Sequence, residues 1–187
     1  MEKFEEKTLD SKFIFDGKVV HLYEDKILLP NGKESVREYI KHIGAVAIVP
    51  LNKSNEVICV KQYRYPFSRC LIEIPAGKLD SKDEVPENAA RRELREETGA
   101  TSAKLTYIGD YLGSPAILDE RIYMYLAEDL VLGETDFDDD EFIEIVNIPI
   151  ETLVDMICNG EIADGKTQVA VLKAYSIINR RGKIDET

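Results

Sequence analysis

The chain has 187 residues, of which 44% are apolar, so it can fold as one domain with a small appendage and is not a wholly disordered protein. Its formal net charge of −12 repels a nucleic-acid backbone, which argues against DNA or RNA binding as the main activity. The N-terminus lacks the apolar segment of a signal peptide, and no apolar run approaches the ~20 residues of a membrane span. We therefore expect a cytoplasmic protein without a membrane partner. The odd number of cysteines and their wide spacing also argue against a zinc ribbon or a disulfide framework.

The first 42 residues are predicted to form short strands. Residues 18–29 and 35–42 flank Pro30-Asn31-Gly32, which is a strong hairpin turn. This section contains too few apolar residues for a core of its own. It must therefore pack on another surface, either within the chain or in a partner.

Residues 43–187 are predicted to form the main domain, in which strands and helices alternate irregularly. Pro86 near its first turn and Gly99 just past its end delimit the clearest helix, at residues 86–98. The pattern predicts a mixed α/β (α+β) sandwich rather than a doubly wound sheet. The predicted strands are residues 44–50, 56–62, 106–111, 122–127 and 142–148, and the further helices are residues 150–158 and 166–180.

The helix at residues 86–98 carries an unusual group of acids. Glu93 and Glu97 are four residues apart and share one helical face, with Glu96 beside them. Carboxylates so close repel one another, and the C-terminal end of a helix already carries negative partial charge. A hard divalent cation such as Mg²⁺ would relieve this conflict. The alternative is a solvated face with i,i+4 ion pairs such as Arg92–Glu96.

The segment from Gly77-Lys78-Leu79-Asp80 through Glu84 to Arg92-Glu93-Leu94-Arg95-Glu96-Glu97-Thr98-Gly99 resembles the Nudix box. The resemblance implies a Nudix-type α/β/α sandwich with a mixed sheet. It also implies Mg²⁺-dependent hydrolysis of a nucleoside diphosphate linked to another group, with Mn²⁺ as a possible substitute. Six residues separate Gly77 from Glu84 where the family usually has five, so either Asp83 or Glu84 is the leading acid of the box.

The same resemblance implies a role for each matching residue. Glu93, Glu96 and Glu97 would be metal ligands together with the backbone carbonyl of Ala76. Glu96 and Arg92 would be catalytic residues, Arg92 by holding the glutamates through charge-assisted hydrogen bonds. Gly77 would permit a tight turn.

A second group of motifs resembles the ADP-ribose pyrophosphatase subfamily. Ser114-Pro115 lies downstream of the box, and Arg64 lies in the segment Gln62-Tyr63-Arg64-Tyr65-Pro66 before it. The resemblance implies that Arg64 contacts the substrate diphosphate, for which a planar guanidinium is suited. Arg37 and Tyr39 match a second substrate-side strand. A plain loop at residues 114–115 and ordinary surface arginines are the alternatives.

An acidic run at residues 136–141 precedes the strand at 142–148. Such a run is commonly just solvated. In the subfamily a glutamate of this loop completes the site as metal ligand or general base. Glu141 aligns best, although Asp138, Asp139 and Asp140 are near.

These resemblances predict an enzyme that hydrolyses ADP-ribose to AMP and ribose 5-phosphate. The alternatives are hydrolysis of another nucleoside diphosphate sugar such as GDP-mannose, or a non-catalytic Nudix domain that senses a ligand. The subfamily tends to exchange N-terminal strands between protomers, so a homodimer is expected. Phe13, Phe15 or Tyr39 would then stack on adenine or pack in the interface.

Overall fold

A computed structural model describes residues 3–136 and 142–185. Chain contacts divide it into a small unit (Met1–Ile43 and Leu112–Arg121) and a large unit (Gly44–Tyr111 and Ile122–Thr187). The small unit thus includes residues 112–121 in addition to the N-terminal strands. The predicted division into domains at residues 1–42 and 43–187 stays a prediction. Within the described ranges the strands are β1 (Lys7–Asp16), β2 (His21–Leu28), β3 (Glu34–Lys41), β4 (Ala45–Pro50), β5 (Glu56–Arg64), β6 (Arg69–Glu73), β7 (Ala76–Lys78), β8 (Ala100–Tyr111), β9 (Ile122–Leu132) and β10 (Ile143–Pro149). The α-helices of the same ranges are α1 (Pro86–Thr98), α2 (Ile150–Cys158) and α3 (Gly165–Asp185).

The small unit is an antiparallel sheet in the order β1-β2-β3. Gly32 supplies a left-handed residue in the turn between β2 and β3, with φ of +81°. Residues 112–121 join the sheet through a bridge between Ile40 and Leu118. Among the described residues of this unit only Ile27 is a buried hydrophobic side chain. The prediction that this section lacks a core of its own is thus confirmed.

The large unit contains two sheets, with the strand orders β7-β4-β9-β8 and β10-β5-β6. Strand β4 pairs parallel with β9 and antiparallel with β7, so the first sheet is mixed. Strand β4 is buried along its whole length. Ala47 and Val49 pack in the core on the side of α2 and α3, whereas Val46 and Ile48 pack against α1. Helices on opposite faces of β4 confirm the predicted α/β/α sandwich.

Helix α1 begins and ends where the sequence predicts. Pro86 occupies its first turn, where a missing N–H costs nothing. Gly99 ends it in the left-handed conformation, with φ of +68°, and donates its N–H to the carbonyl of Arg95 at 2.8 Å. Helix α2 also matches its prediction, and none of the helices in the described ranges has the length and apolar character of a membrane span.

The hairpin formed by β8 and β9 is longer than predicted. Strand β8 begins at Ala100 rather than at residue 106, and β9 continues to Leu132 rather than to residue 127. The added halves pair with each other, with Ala100 opposite Leu132. Pairing between distant segments therefore overrides the weak strand propensity of residues 100–105.

An ion-pair group attaches α3 to this hairpin. Glu128 on β9 lies 2.8 Å from Lys104 Nζ on β8 and accepts a 2.8 Å hydrogen bond from Arg181 Nη1 on α3. Burial alone would raise the pKa of Glu128. The hydrogen bonds and charges of Lys104 and Arg181 outweigh burial and lower the pKa below its ordinary 4.5.

Glu128→Gln should therefore lower the free energy of unfolding by about 1 kcal/mol at pH 7. A lowered pKa contributes stability that is present above pH 4.5 and is lost as the pH falls through the folded-state pKa. The difference between wild type and variant should thus shrink towards pH 3 in urea unfolding measurements. Glu161→Gln, at an exposed position, is the control. A difference that stays constant from pH 7 to pH 3 would contradict the assignment.

Candidate active site

Two carboxylates are buried on one face of α1. Glu93 and Glu97 keep 8% and 5% of their surface exposed, although both are charged residues. A carboxylate oxygen of Glu97 accepts a 3.2 Å hydrogen bond from the backbone N–H of Ala76 in β7. The predicted ligands Ala76 and Glu97 are thus in contact. Burying two negative charges one helical turn apart is costly unless cations neutralise them.

Gly77 is required by this arrangement, but not for the predicted reason. It lies in strand β7 and does not adopt a positive φ, so the predicted tight turn is wrong. A β-carbon at this position would lie 2.1 Å from the carboxyl carbon and Oε1 of Glu93. Glycine is therefore needed because the Glu93 carboxylate lies directly against the backbone.

Arg92 contacts both Glu93 and Glu96, and Arg95 also donates to Glu96 Oε1 at 3.2 Å. Arg92 Nη1 donates to Glu93 Oε1 at 2.7 Å and to Glu96 Oε2 at 3.2 Å. Its Nη2 donates to the carbonyl of Lys78 at 3.1 Å. Partial burial alone would lower the pKa of Arg92, but the hydrogen bond and charge of Glu93 outweigh it and raise the pKa. Arg92 thus connects the box helix to β7.

The structure distinguishes between the two candidates for the leading acid. A Glu84 carboxylate oxygen accepts a 2.6 Å hydrogen bond from the N–H of Asp80 and lies 3.6 Å from Arg92 Nη2. Asp83 is exposed in the turn at residues 81–84. The contacts favour Glu84.

Arg64 belongs to a second group of charges in the large unit. Its Nε and Nη2 each donate to one oxygen of Glu73 at 2.7 Å, a bidentate pair. Lys166 Nζ also donates to Glu73 and lies 3.1 Å from Asp164. Although burial raises the pKa of Glu73, its bonds to Arg64 and the charge of Lys166 outweigh this and lower it. Thr167, fully buried, donates its hydroxyl to Asp164 at 2.5 Å.

The remaining substrate-side predictions lie in the small unit. Arg37 donates to both oxygens of Glu6, at 2.9 and 2.5 Å. Tyr39 stacks on Tyr23 at 5.7 Å between ring centroids and donates its hydroxyl to an Asp25 oxygen at 3.2 Å. Ser114 and Pro115 lie in the segment 112–121 of the same unit, where the Ser114 carbonyl accepts from the N–H groups of Ile117 and Leu118.

Glu141, the predicted general base, lies outside the described residues, as do Asp138, Asp139 and Asp140. The chain leading to them is described as far as Asp136. The N–H of Asp136 donates to the carbonyl of Glu96 at 3.0 Å, and its carboxylate lies 3.1 Å from Arg95 Nη1. The acidic run therefore starts in contact with the helix that carries the buried glutamates.

Comparison with known proteins decides the family. The NUDIX domain model matches residues 41–166, which is more than half of the chain. The chain belongs to the Nudix hydrolase family. The model of the nucleoside diphosphate sugar hydrolase N-terminal domain matches residues 6–40 of the same Nudix protein.

Relatives resemble this Nudix hydrolase over nearly its whole length. An ADP-ribose pyrophosphatase of Bacillus subtilis (strain 168) is 46% identical over 173 residues, covering 91% of this chain and 93% of the relative. A methanol dehydrogenase activator of Bacillus methanolicus is 40% identical over 170 residues, covering 90% and 91%. A solved structure of an ADP compounds hydrolase covers 95% of this chain and 96% of its own, with a TM-score of 0.84 and 20% identity. This last similarity supports the Nudix fold.

Nudix hydrolases use a divalent metal ion, and the donor groups of this chain suit one. Hard divalent cations prefer oxygen ligands, and Glu93 and Glu97 present buried carboxylate oxygens on one face. In the described residues no three acidic, histidine or cysteine side chains are arranged closely enough to enclose an ion, and Arg92 is bound to Glu93 and Glu96. The donor chemistry fits the cation, and the missing side chain of Gly77 leaves room for the Glu93 carboxylate that would hold it.

Sequence reasoning missed Glu73 and Lys166. The signal for Glu73 was available, since one acid interrupts the apolar run Leu71-Ile72-Glu73-Ile74. A lone carboxylate in such a run must find cations when the strand is buried. Its second cation, Lys166, lies 93 residues away in sequence, and local pattern could not identify it.

Gly77→Ala should displace the Glu93 carboxylate, because the added β-carbon would overlap it. We expect metal-dependent turnover to fall about 100-fold, the effect of a roughly 1 Å misplacement in a catalytic site. Steady-state kinetics and Mn²⁺ binding by electron paramagnetic resonance check this. Gly182→Ala is the control, since a β-carbon there meets nothing within 4 Å. Unchanged turnover and Mn²⁺ affinity in Gly77→Ala would contradict the steric assignment.

Proposed function

We propose that this Nudix hydrolase cleaves the diphosphate linkage of ADP-ribose, with Mg²⁺ as its cofactor and Mn²⁺ as a substitute. The observation that carries the proposal is the buried pair Glu93 and Glu97 beside the backbone of Ala76 and Gly77. The 46% identical Bacillus subtilis ADP-ribose pyrophosphatase supports the choice of substrate. In the overall reaction, water and ADP-ribose give AMP and ribose 5-phosphate. The water oxygen forms a bond to one phosphorus, and the bond between that phosphorus and the bridging oxygen breaks.

Residues of the large unit would carry the chemistry. Glu93, Glu96, Glu97 and the carbonyl of Ala76 would hold the metal, which neutralises charge on the diphosphate and makes bound water more acidic. Arg92 would keep Glu93 and Glu96 oriented through the bonds it makes to both. Arg64 would bind phosphate oxygens. Glu141 would orient the attacking water or accept its proton.

Residues of the small unit would select the nucleotide and the sugar. Tyr39, stacked in a row with Tyr23 and Phe13, offers the flat aromatic surface on which a base can stack. Arg37, Ser114 and Pro115 are the further candidates of this unit for contacts with the substrate. The family description of residues 6–40 names nucleoside diphosphate sugars in general, so GDP-mannose is the competing substrate.

A substrate panel tests this proposal. With Mg²⁺, ADP-ribose should give a higher kcat/KM than GDP-mannose or diadenosine polyphosphates, measured by product chromatography. Glu97→Gln tests the metal site, because it removes one ligand charge without changing side-chain size. The variant should lose turnover while its fold is retained. A tenfold preference for another substrate would overturn the choice of ADP-ribose, and near-normal rates in Glu97→Gln would overturn the metal site.

We further propose that the protein is a homodimer in which the N-terminal strands cover a partner protomer. All ten residues of the edge strand β1 are exposed, including Phe13, Ile14 and Phe15. Exposed apolar edge strands tend to pair with another chain. A closed symmetric pair is also the commonest oligomer.

Phe15→Glu should dissociate the dimer, because it places a charge within the proposed interface. Phe15 is 56% exposed in the monomer, so the change should cost little stability within the protomer. Light scattering should show a monomer, and KM for ADP-ribose should rise about tenfold or more if the partner completes the site. Val131→Glu, at a 68% exposed position of β9, is the control. A wild-type monomer with full activity would contradict the proposal.

A further inference from the structure

Glu73 is a carboxylate held between two cations in the interior of the large unit. Only 1% of its side chain is exposed, against 38% for Arg64 and 11% for Lys166. A buried carboxylate without cationic partners is strongly unfavourable, so these contacts are a condition for keeping it ionised. Glu73 is therefore the inner member of the group, and Arg64 is the member that reaches the surface.

The geometry of the contact uses one edge of the Arg64 guanidinium. A guanidinium has five N–H donors in a fixed plane. Glu73 accepts one from Nε and one from Nη2, each at 2.7 Å. The adjacent edge is formed by Nη1 and the second N–H of Nη2. Its two N–H donors have the same separation, so they can donate to a second anion in the same plane.

This group lies close to the buried glutamates of the box. Three residues after Glu73 the chain reaches Ala76, whose N–H contacts Glu97. The charge of Glu97 acts on Arg64 as well, since it adds to the dominant effect of the Glu73 hydrogen bond in raising the pKa of Arg64. Arg64 and Glu73 therefore lie in the same part of the large unit as the carboxylate pair.

We infer that Glu73 is a positioning residue for diphosphate recognition, which fixes one edge of the Arg64 guanidinium so that the other edge binds phosphate oxygens. The inference rests on the proposed function, in which Arg64 contacts the diphosphate. Lys166 is the second part of the device. It pairs with Glu73 in its own right, so the buried carboxylate keeps a cation when Arg64 shares its charge with a substrate. Asp164 fixes Lys166 in turn, at 3.1 Å.

A double-mutant cycle tests the inference. Arg64→Ala, Glu73→Gln and the double variant are compared by KM for ADP-ribose and by the Kd of inorganic pyrophosphate with Mg²⁺, measured by calorimetry. Each single change should raise KM and Kd about tenfold, as expected for loss of a charge-assisted hydrogen bond, and should lower kcat much less. The double variant should be no worse than either single variant, because Glu73 acts through Arg64.

Controls separate this role from a purely structural one. Lys61 and Glu144 form an exposed ion pair at 3.0 Å, with Lys61 on the same strand as Arg64. Lys61→Gln and Glu144→Gln should leave KM and Kd within twofold of wild type. Thermal unfolding establishes that each variant is folded. If Glu73→Gln does not fold, Arg64→Lys replaces it. A lysine is a point charge that cannot bind two anions on two edges, so its KM and Kd should match those of Arg64→Ala.

The outcomes distinguish the inference from the function on which it rests. The inference would be overturned if the increases in KM and Kd of the two single variants multiplied in the double variant, or if Arg64→Lys bound pyrophosphate as wild type does. Either result would leave the proposed function standing. Unchanged KM and Kd in Arg64→Ala would overturn the role of Arg64 and the inference together. If wild type does not hydrolyse ADP-ribose, the proposed function fails, while the pyrophosphate Kd values still decide the cycle.

Discussion

The burial of Glu93 and Glu97 on one face of α1 is the constraint on which the rest of the site depends. Two like charges in a poorly solvated position oppose folding unless other groups neutralise them. The surrounding sequence meets this condition in three ways. Arg92 contacts Glu93, the N–H of Ala76 contacts Glu97, and the missing side chain of Gly77 lets the Glu93 carboxylate lie against the backbone. The carboxylate oxygens that this arrangement collects are the donors that a divalent cation prefers.

Two arginines of the large unit, Arg92 and Arg64, compensate buried carboxylates in different ways. Arg92 has its Nη1 and Nη2 bound to the box helix and to β7, so its guanidinium acts within the protein. Arg64 is bound through one edge to the interior Glu73, and its side chain still keeps 38% of its surface exposed. A group with one side fixed and one side exposed is suited to an external anion. The same residue type therefore serves internal support in one case and a surface role in the other.

Local sequence signals predicted the parts of the fold that local interactions determine. Helix α1 was predicted to the residue because Pro86 and Gly99 act within a single turn of the chain. The first half of β8 was missed because its strand character comes from pairing with β9, and Gly77 was assigned a turn because its neighbour Glu93 is sixteen residues away. Glu84, Glu93 and Glu96 of the predicted box lie within 3.6 Å of Arg92, whereas the partners of Glu73 could be recognised only in three dimensions. The catalytic, metal-binding and substrate-binding roles of all the predicted site residues, in the box and outside it, stay predictions.

The contact between Glu73 and Lys166 has a consequence for the order in which the protein is made. Glu73 at the end of β6 leaves the ribosome 93 residues before Lys166. Until Lys166 is made, Arg64, nine residues upstream, is the ionic partner of Glu73 in this group. Thr167 is synthesised directly after Lys166, and its hydroxyl oxygen accepts a hydrogen bond from the N–H of Ile74, the residue after Glu73. The interior end of β6 is therefore completed only when the start of the last helix has been synthesised. A nascent chain that lacks this helix exposes a half-paired carboxylate in the strand that leads into the catalytic motif.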